Sequence, residues 1–101
     1  LIKGRDNMQE KMESFLATEI TEQEFYDGII DFVTSCNIRS GEYECNEFVI
    51  KKMDAYNFII FQEYEIDEKR EIYGSFSIQK NKLIKLITSY ARKQRIVLKD
   101  N

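Results

Sequence analysis

Apolar residues recur at Met8, Met12, Phe15 and Leu16, spaced i, i+4, i+7, i+8. That is one face of a helix, so residues 6–17 are predicted to form a short amphipathic helix. Thr21 and Glu24 stand three apart in T-E-Q-E, the spacing of a capping box. A second helix is therefore predicted over 22–36. Phe25, Ile29, Phe32, Val33 and Cys36 lie on its apolar face, and Glu22, Glu24 and Asp27 enrich its first turns. Asn37 to Gly41 closes it as a loop.

The period then changes from helical to alternating. Residues 43–52 are compatible with a strand, although Phe48-Val49-Ile50 also suits a helix. Asp54 to Asn57 reads as a turn. In residues 57–66, Phe58, Ile60, Tyr64 and Ile66 fall on one face, interrupted by Gln62, while Ile59, Phe61, Glu63 and Glu65 line the other. Asp67-Glu68-Lys69-Arg70 is a charged hairpin loop. In residues 71–79, Ile72, Gly74, Phe76 and Ile78 face inward and Tyr73, Ser75, Ser77 and Gln79 outward. Residues 81–95 return to the helical period, with Leu83, Ile84, Ile87, Tyr90 and Ala91 as the apolar face; Val97 and Leu98 follow as a last turn or an extended tail. The predicted order is α-α-β-β-β-α: an α+β fold with a small antiparallel meander of about three strands and about three helices.

Composition narrows the picture. A chain of 101 residues is expected to be a single domain spanning 1–101, with 1–7 frayed. Seven Phe, six Tyr and fourteen Ile supply a core, so disorder is excluded as a general description. The longest unbroken apolar run, Phe58–Phe61, is too short to cross a bilayer, and no membrane association is expected. The chain starts at Leu1 rather than Met, which is compatible with a trimmed protein or a piece of a longer one. Cys36 and Cys45 are expected to be ordinary thiols in a reducing cytoplasmic setting.

Charge is segregated. Residues 80–101 carry seven Lys/Arg and one Asp; residues 1–79 carry eight Lys/Arg and seventeen Asp/Glu. Charge distribution governs which partners a small protein attracts and how fast. Lys82, Lys85, Ser89 and Arg92 follow one side of the last predicted helix, and Lys80, Lys93, Arg95 and Lys99 extend the stripe. Such a stripe serves as solvated surface, as a dock for an acidic protein, or as a phosphate contact. The isoelectric point near 5.0 weighs against a dedicated nucleic-acid binder. Glu24, Asp27 and Asp31 lie along the exposed side of the second helix, and Glu63, Glu65 and Asp67 follow one strand face.

Catalytic chemistry has little to stand on. The chain has no His, the commonest general base and metal ligand. Cys36 is expected to be buried and inert, and Cys45 has no base to activate it. The carboxylates lack the E-x-K spacing of metal-dependent nucleases, because Ile66 and Asp67 follow Glu65. No metal site or cofactor is expected, and the four glycines are too scattered to cradle a phosphate.

Residues 12–33, with Phe15, Glu19-Ile20-Thr21 and Glu24-Phe25, loosely resemble the helical opening of some bacterial immunity proteins that neutralise colicin-type toxins. The β-rich remainder departs from the all-helical members of that group. Together these features predict a non-enzymatic protein-binding domain of the inhibitor, immunity, antitoxin or anti-defence type. Its contact face would be Glu63, Glu65, Asp67 and Tyr73. The alternative is a nucleic-acid or nucleoprotein adaptor using Lys82, Lys85, Arg92, Lys93 and Arg95. The oligomeric state is left open.

Overall fold

The computed structural model describes residues 5–38 and 40–98. Two helices, α1 (Arg5–Glu19) and α2 (Gln23–Thr34), precede four strands: β1 (Gly41–Glu44), β2 (Phe48–Lys52), β3 (Asn57–Ile66) and β4 (Lys69–Gln79). Helix α3 (Lys80–Lys93) follows directly. The strands form one antiparallel sheet in the order β1-β2-β3-β4. The α+β class and the meander are as predicted. There are four strands rather than three, because residues 43–52 fold as a tight hairpin: Cys45 N–H donates to the Phe48 carbonyl at 2.8 Å and reverses the chain.

Several local expectations change. The Thr21–Glu24 capping box does not form. Glu22 is the N-cap residue of α2, in extended conformation and without a side-chain cap. Tyr26, not Phe25, is buried on α2, together with Ile29, Ile30, Phe32 and Val33. Helix α2 stops at Thr34, so Cys36 lies beyond it and is exposed rather than buried. Helix α1 begins at Arg5; residues 1–4 lie outside the described residues, as does Lys99 of the basic stripe.

The helices cover one face of the sheet. Phe15, Ile20, Val33, Ile50, Phe58, Ile60, Leu83 and Ile87 are fully buried there, with Phe15 edge-on to Phe48 at 5.5 Å. Helix α3 ends in a Schellman motif: Ile96 N–H reaches the Ala91 carbonyl at 3.0 Å and Arg95 N–H the Arg92 carbonyl at 3.1 Å. Ile96 then closes the core below the turn. Beyond it, Gln23 pins the tail like a strand partner, donating to the Val97 carbonyl at 2.8 Å and accepting from Val97 N–H at 2.9 Å.

Two charged side chains sit inside. Glu19 is 1% exposed and closes α1 by accepting the backbone N–H groups of Asn46, Glu47 and Phe48 at 2.8, 2.7 and 2.9 Å. Lys52 is 2% exposed. Its ammonium donates to the Phe32 and Ser35 carbonyls at 3.3 and 2.9 Å, and lies over the rings of Phe32 and Phe58. It thereby satisfies carbonyls left open at the end of α2. Glu19 joins α1 to the β1–β2 turn, and Lys52 joins α2 to β2.

Candidate functional site

Beyond Gln62 the sheet narrows to a two-stranded ribbon. Strand β2 ends its pairing at Phe48–Gln62, so residues 63–66 of β3 pair only with β4. The ribbon turns at Asp67-Glu68, both with positive φ (54° and 65°). This is a two-residue turn of the mirror-image kind that matches strand twist. The turn is shorter than the predicted 67–70 loop, and Lys69 and Arg70 already belong to β4.

A register shift at the base of the ribbon decides which side chains face where. Ile60 pairs with Phe76, but Gln62 pairs with Tyr73. The extra residue on β4 is absorbed at Gly74, where φ is +60°, a conformation glycine adopts without steric cost. Past the bulge the alternation of β4 inverts. Tyr73, predicted to point away from the helices with Ile59 and Phe61, instead shares a face with Gln62 and Tyr64. The Tyr64 and Tyr73 rings lie 5.5 Å apart, and Gln62 donates to the Tyr64 hydroxyl at 3.1 Å. Ile72, predicted inward, pairs with Glu63 on the opposite face.

The face turned away from the helices, where alternation places Ile59 and Phe61, is covered in part, while Ile72 on the same face is 51% exposed. Arg70 of β4 approaches Glu42 of β1 at 2.9 Å and Glu63 at 2.8 Å, with its guanidinium 5.6 Å from the Phe61 ring centroid. The Glu42 contact is a hydrogen bond, whereas the Glu63 contact is an ion pair without hydrogen-bond directionality. In a flat sheet β4 and β1 would be about 14 Å apart, at ~4.8 Å per strand. Arg70 also pairs with Glu65, six residues along β3 from Ile59, which shares Glu42's row, and this adds about 20 Å at ~3.3 Å per residue, so the ribbon must bend across the face for the two side chains to meet. Beneath it Phe61 and Val49 are only 3% and 4% exposed, a small second core outside the main one.

The predicted contact residues are therefore divided. Glu63 is held by Arg70, Glu65 is exposed on the same face, Asp67 occupies the turn, and Tyr73 looks the other way. On that other face Tyr64, Ile66 and Tyr73 are 44%, 47% and 44% exposed. Alternation puts Tyr64 and Ile66 on the face of the buried Phe58 and Ile60, yet they stand exposed. Their exposure follows from the length of the β3–β4 hairpin relative to the helices. Residues 62–73 hold five carboxylates against two cations, so the ribbon is an acidic arm with an aromatic face.

Lys82, Lys85, Arg92, Lys93 and Arg95 are all exposed, and among the described residues none of them stands in an ion pair. Helix α3 contains no acid. Asp27 is bonded by Gln23, so the acidic side of α2 is partly used internally.

For chemistry the site offers little. Burial, reinforced by the Glu19 carboxylate, pushes the Cys45 thiol well above the usual range and keeps it protonated. Among the described residues no group of three or more Cys, Asp or Glu is placed to hold a metal ion, and no helix is long and apolar enough to cross a membrane. The chain matches no protein-family model, no curated protein and no solved structure.

Proposed function

We propose that this chain is a non-enzymatic, cytoplasmic protein-binding domain that masks a macromolecular partner, in the manner of small inhibitors, immunity proteins, antitoxins and anti-defence proteins. The observation that carries this reading is the acidic arm. It places Tyr64, Ile66 and Tyr73 on one open face, far more apolar surface than a solvated hairpin needs. Tyrosine is well suited to anchoring, since it brings a large rigid area and one polar tip. Glu65, Asp67 and Glu68 would steer a basic surface toward the arm, and the tyrosines would then set the off-rate.

The test is affinity capture from source-organism lysate, with and without nuclease, comparing the native chain with a Tyr64→Ala/Tyr73→Ala variant. A stoichiometric protein that survives nuclease and is lost with the variant is the expected result. Capture that is unchanged in the variant refutes the arm as the contact surface. The unpaired cations of α3 favour a second reading, a nucleic-acid or nucleoprotein adaptor. In that case captured material disappears with nuclease and depends on Lys82, Lys85, Arg92, Lys93 and Arg95.

A further inference from the structure

The ribbon is joined to the rest of the sheet at one place. Pairing of β2 stops at Gln62, and the β3–β4 ladder is broken between Ile60 and Gln62 by the bulge at Gly74. Past that break the pairs run without interruption from Gln62–Tyr73 to Ile66–Lys69. The ribbon is thus a paired two-stranded unit hung on a bulge, where a ladder is already disrupted and bends readily. None of its side chains from Gln62 to Ser75 is buried, so packing does little to fix where it lies. What ties it to β1 is Arg70, through Glu42.

We infer that the ribbon is a hinged strap, latched over Val49 and Phe61 by Arg70, with a second, open position in which Arg70 leaves Glu42 and the outer sheet face is uncovered. The latch is weak by construction. One guanidinium serves both Glu42 and Glu63, and all three side chains are partly exposed, so water and salt screen the attraction. The apolar surface it holds down is small, chiefly Val49 and Phe61. Opening costs that burial and the latch, while the ladder within the ribbon stays paired. It adds Val49 and Phe61 to the partly exposed Ile59 beside them, an apolar strip that the closed form hides. The device belongs to this chain alone and stands apart from the binding reading above. A partner that offers a carboxylate to Arg70, or a cation to Glu42 and Glu63, favours the open position, because it binds that position better.

Paramagnetic relaxation in NMR tests this. A nitroxide on Glu68→Cys at the turn, in a Cys36→Ser background, reports the distance from the ribbon tip to β1; Cys45 stays unlabelled because burial keeps its thiol protonated. At low salt the label is expected to broaden the Glu42 and Tyr43 amides. In Arg70→Ala, and in about 1 M salt, the closed-to-open ratio falls about fivefold and the broadening recedes. Glu42→Gln moves it the same way. Lys69→Ala removes a cation outside the latch and leaves the broadening unchanged. Cross-strand contacts between Tyr64 and Glu71 persist in every variant, because the ribbon swings without unravelling. Broadening that survives both 1 M salt and Arg70→Ala overturns the inference. So does a Lys69→Ala effect as large as that of Arg70→Ala, or loss of the Tyr64–Glu71 pairing when Arg70 is removed.

Discussion

Removing the Glu19 carboxylate is the sharpest probe of how this fold holds together. Among the described residues it is the sole side-chain acceptor for three consecutive N–H groups of the β1–β2 turn, 27 to 29 residues away in sequence. Hydrogen bonds to a charged acceptor contribute about 1.5–3 kcal/mol each, and a buried N–H left open costs about 1–3 kcal/mol. These terms do not simply add. In Glu19→Ala water can reach the Asn46 and Glu47 amides, which are only partly buried, but not the buried Phe48 amide. Counting about 1 kcal/mol for each rescued amide and the full penalty for Phe48 gives a loss of about 3–5 kcal/mol. For a domain of this size the total is about 5–15 kcal/mol, so the variant should be marginal. Glu19→Gln keeps one acceptor oxygen but turns an NH2 toward an N–H, and should lose about 2 kcal/mol. Urea unfolding supplies both numbers. Native-state hydrogen exchange should show protection at Asn46, Glu47 and Phe48 falling most. A Glu19→Ala loss below about 1 kcal/mol, with exchange at those amides unchanged, would refute the claim that the carboxylate organises the turn.

Three other residues, Lys52, Glu68 and Asp54, give further outcomes. Lys52→Met should be within about 1 kcal/mol of neutral at pH 7, because relief of a buried charge offsets two lost carbonyl contacts, whereas Lys52→Ala should cost about 2–3 kcal/mol through the cavity it leaves beside Phe32 and Phe58. Burial, with Lys80 nearby, lowers the Lys52 pKa below 10.5. Between that lowered value and 10.5 the unfolded chain binds more protons, so native stability should rise with pH there and the rise should be absent in Lys52→Met; parallel urea titrations decide this. Glu68→Gly should stabilise the chain by about 1 kcal/mol, because glycine relieves the positive φ at the turn; a lower thermal midpoint would contradict the turn assignment. Asp54 accepts the Tyr56 and Asn57 backbone N–H groups and the Asn57 amide, which holds its carboxyl below the ordinary 3.8. The stability it contributes is present above that value and lost as pH falls through the lowered one, and carboxyl-detected NMR should find its midpoint below 3.8.

Much of the architecture was legible because periodicity is a local property. The 3.6-residue recurrence through Met12, Phe15 and Leu16 and through Leu83, Ile87 and Ala91 marks helix faces whatever surrounds them. The alternation of Phe58 and Ile60 likewise required one buried strand face. Even the two interior charges carried a local trace. Glu19 lies four residues after Phe15 on the same helix stripe, and Lys52 continues the inward alternation of Phe48 and Ile50. What placed them inside was the partner each one finds, the 46–48 turn for Glu19 and the end of α2 for Lys52. Those partners are distant in sequence, so no window along the chain contains them.

The arm was decided by tertiary structure alone. A one-residue bulge at Gly74 inverts the alternation of β4, and a strand's period of two means that this single residue moves Tyr73 from one face to the other. The reach of Arg70 to Glu42 depends on the bend of the ribbon, and it is this bend that buries Phe61 and leaves Tyr64 and Ile66 open. The sequence by itself determined the three helices, the α+β class, the antiparallel meander and the presence of an acidic, tyrosine-bearing hairpin, but not the division of residues 41–52 into two strands. Which of its residues meet solvent was settled only by how far that hairpin extends past the helices and how it folds back.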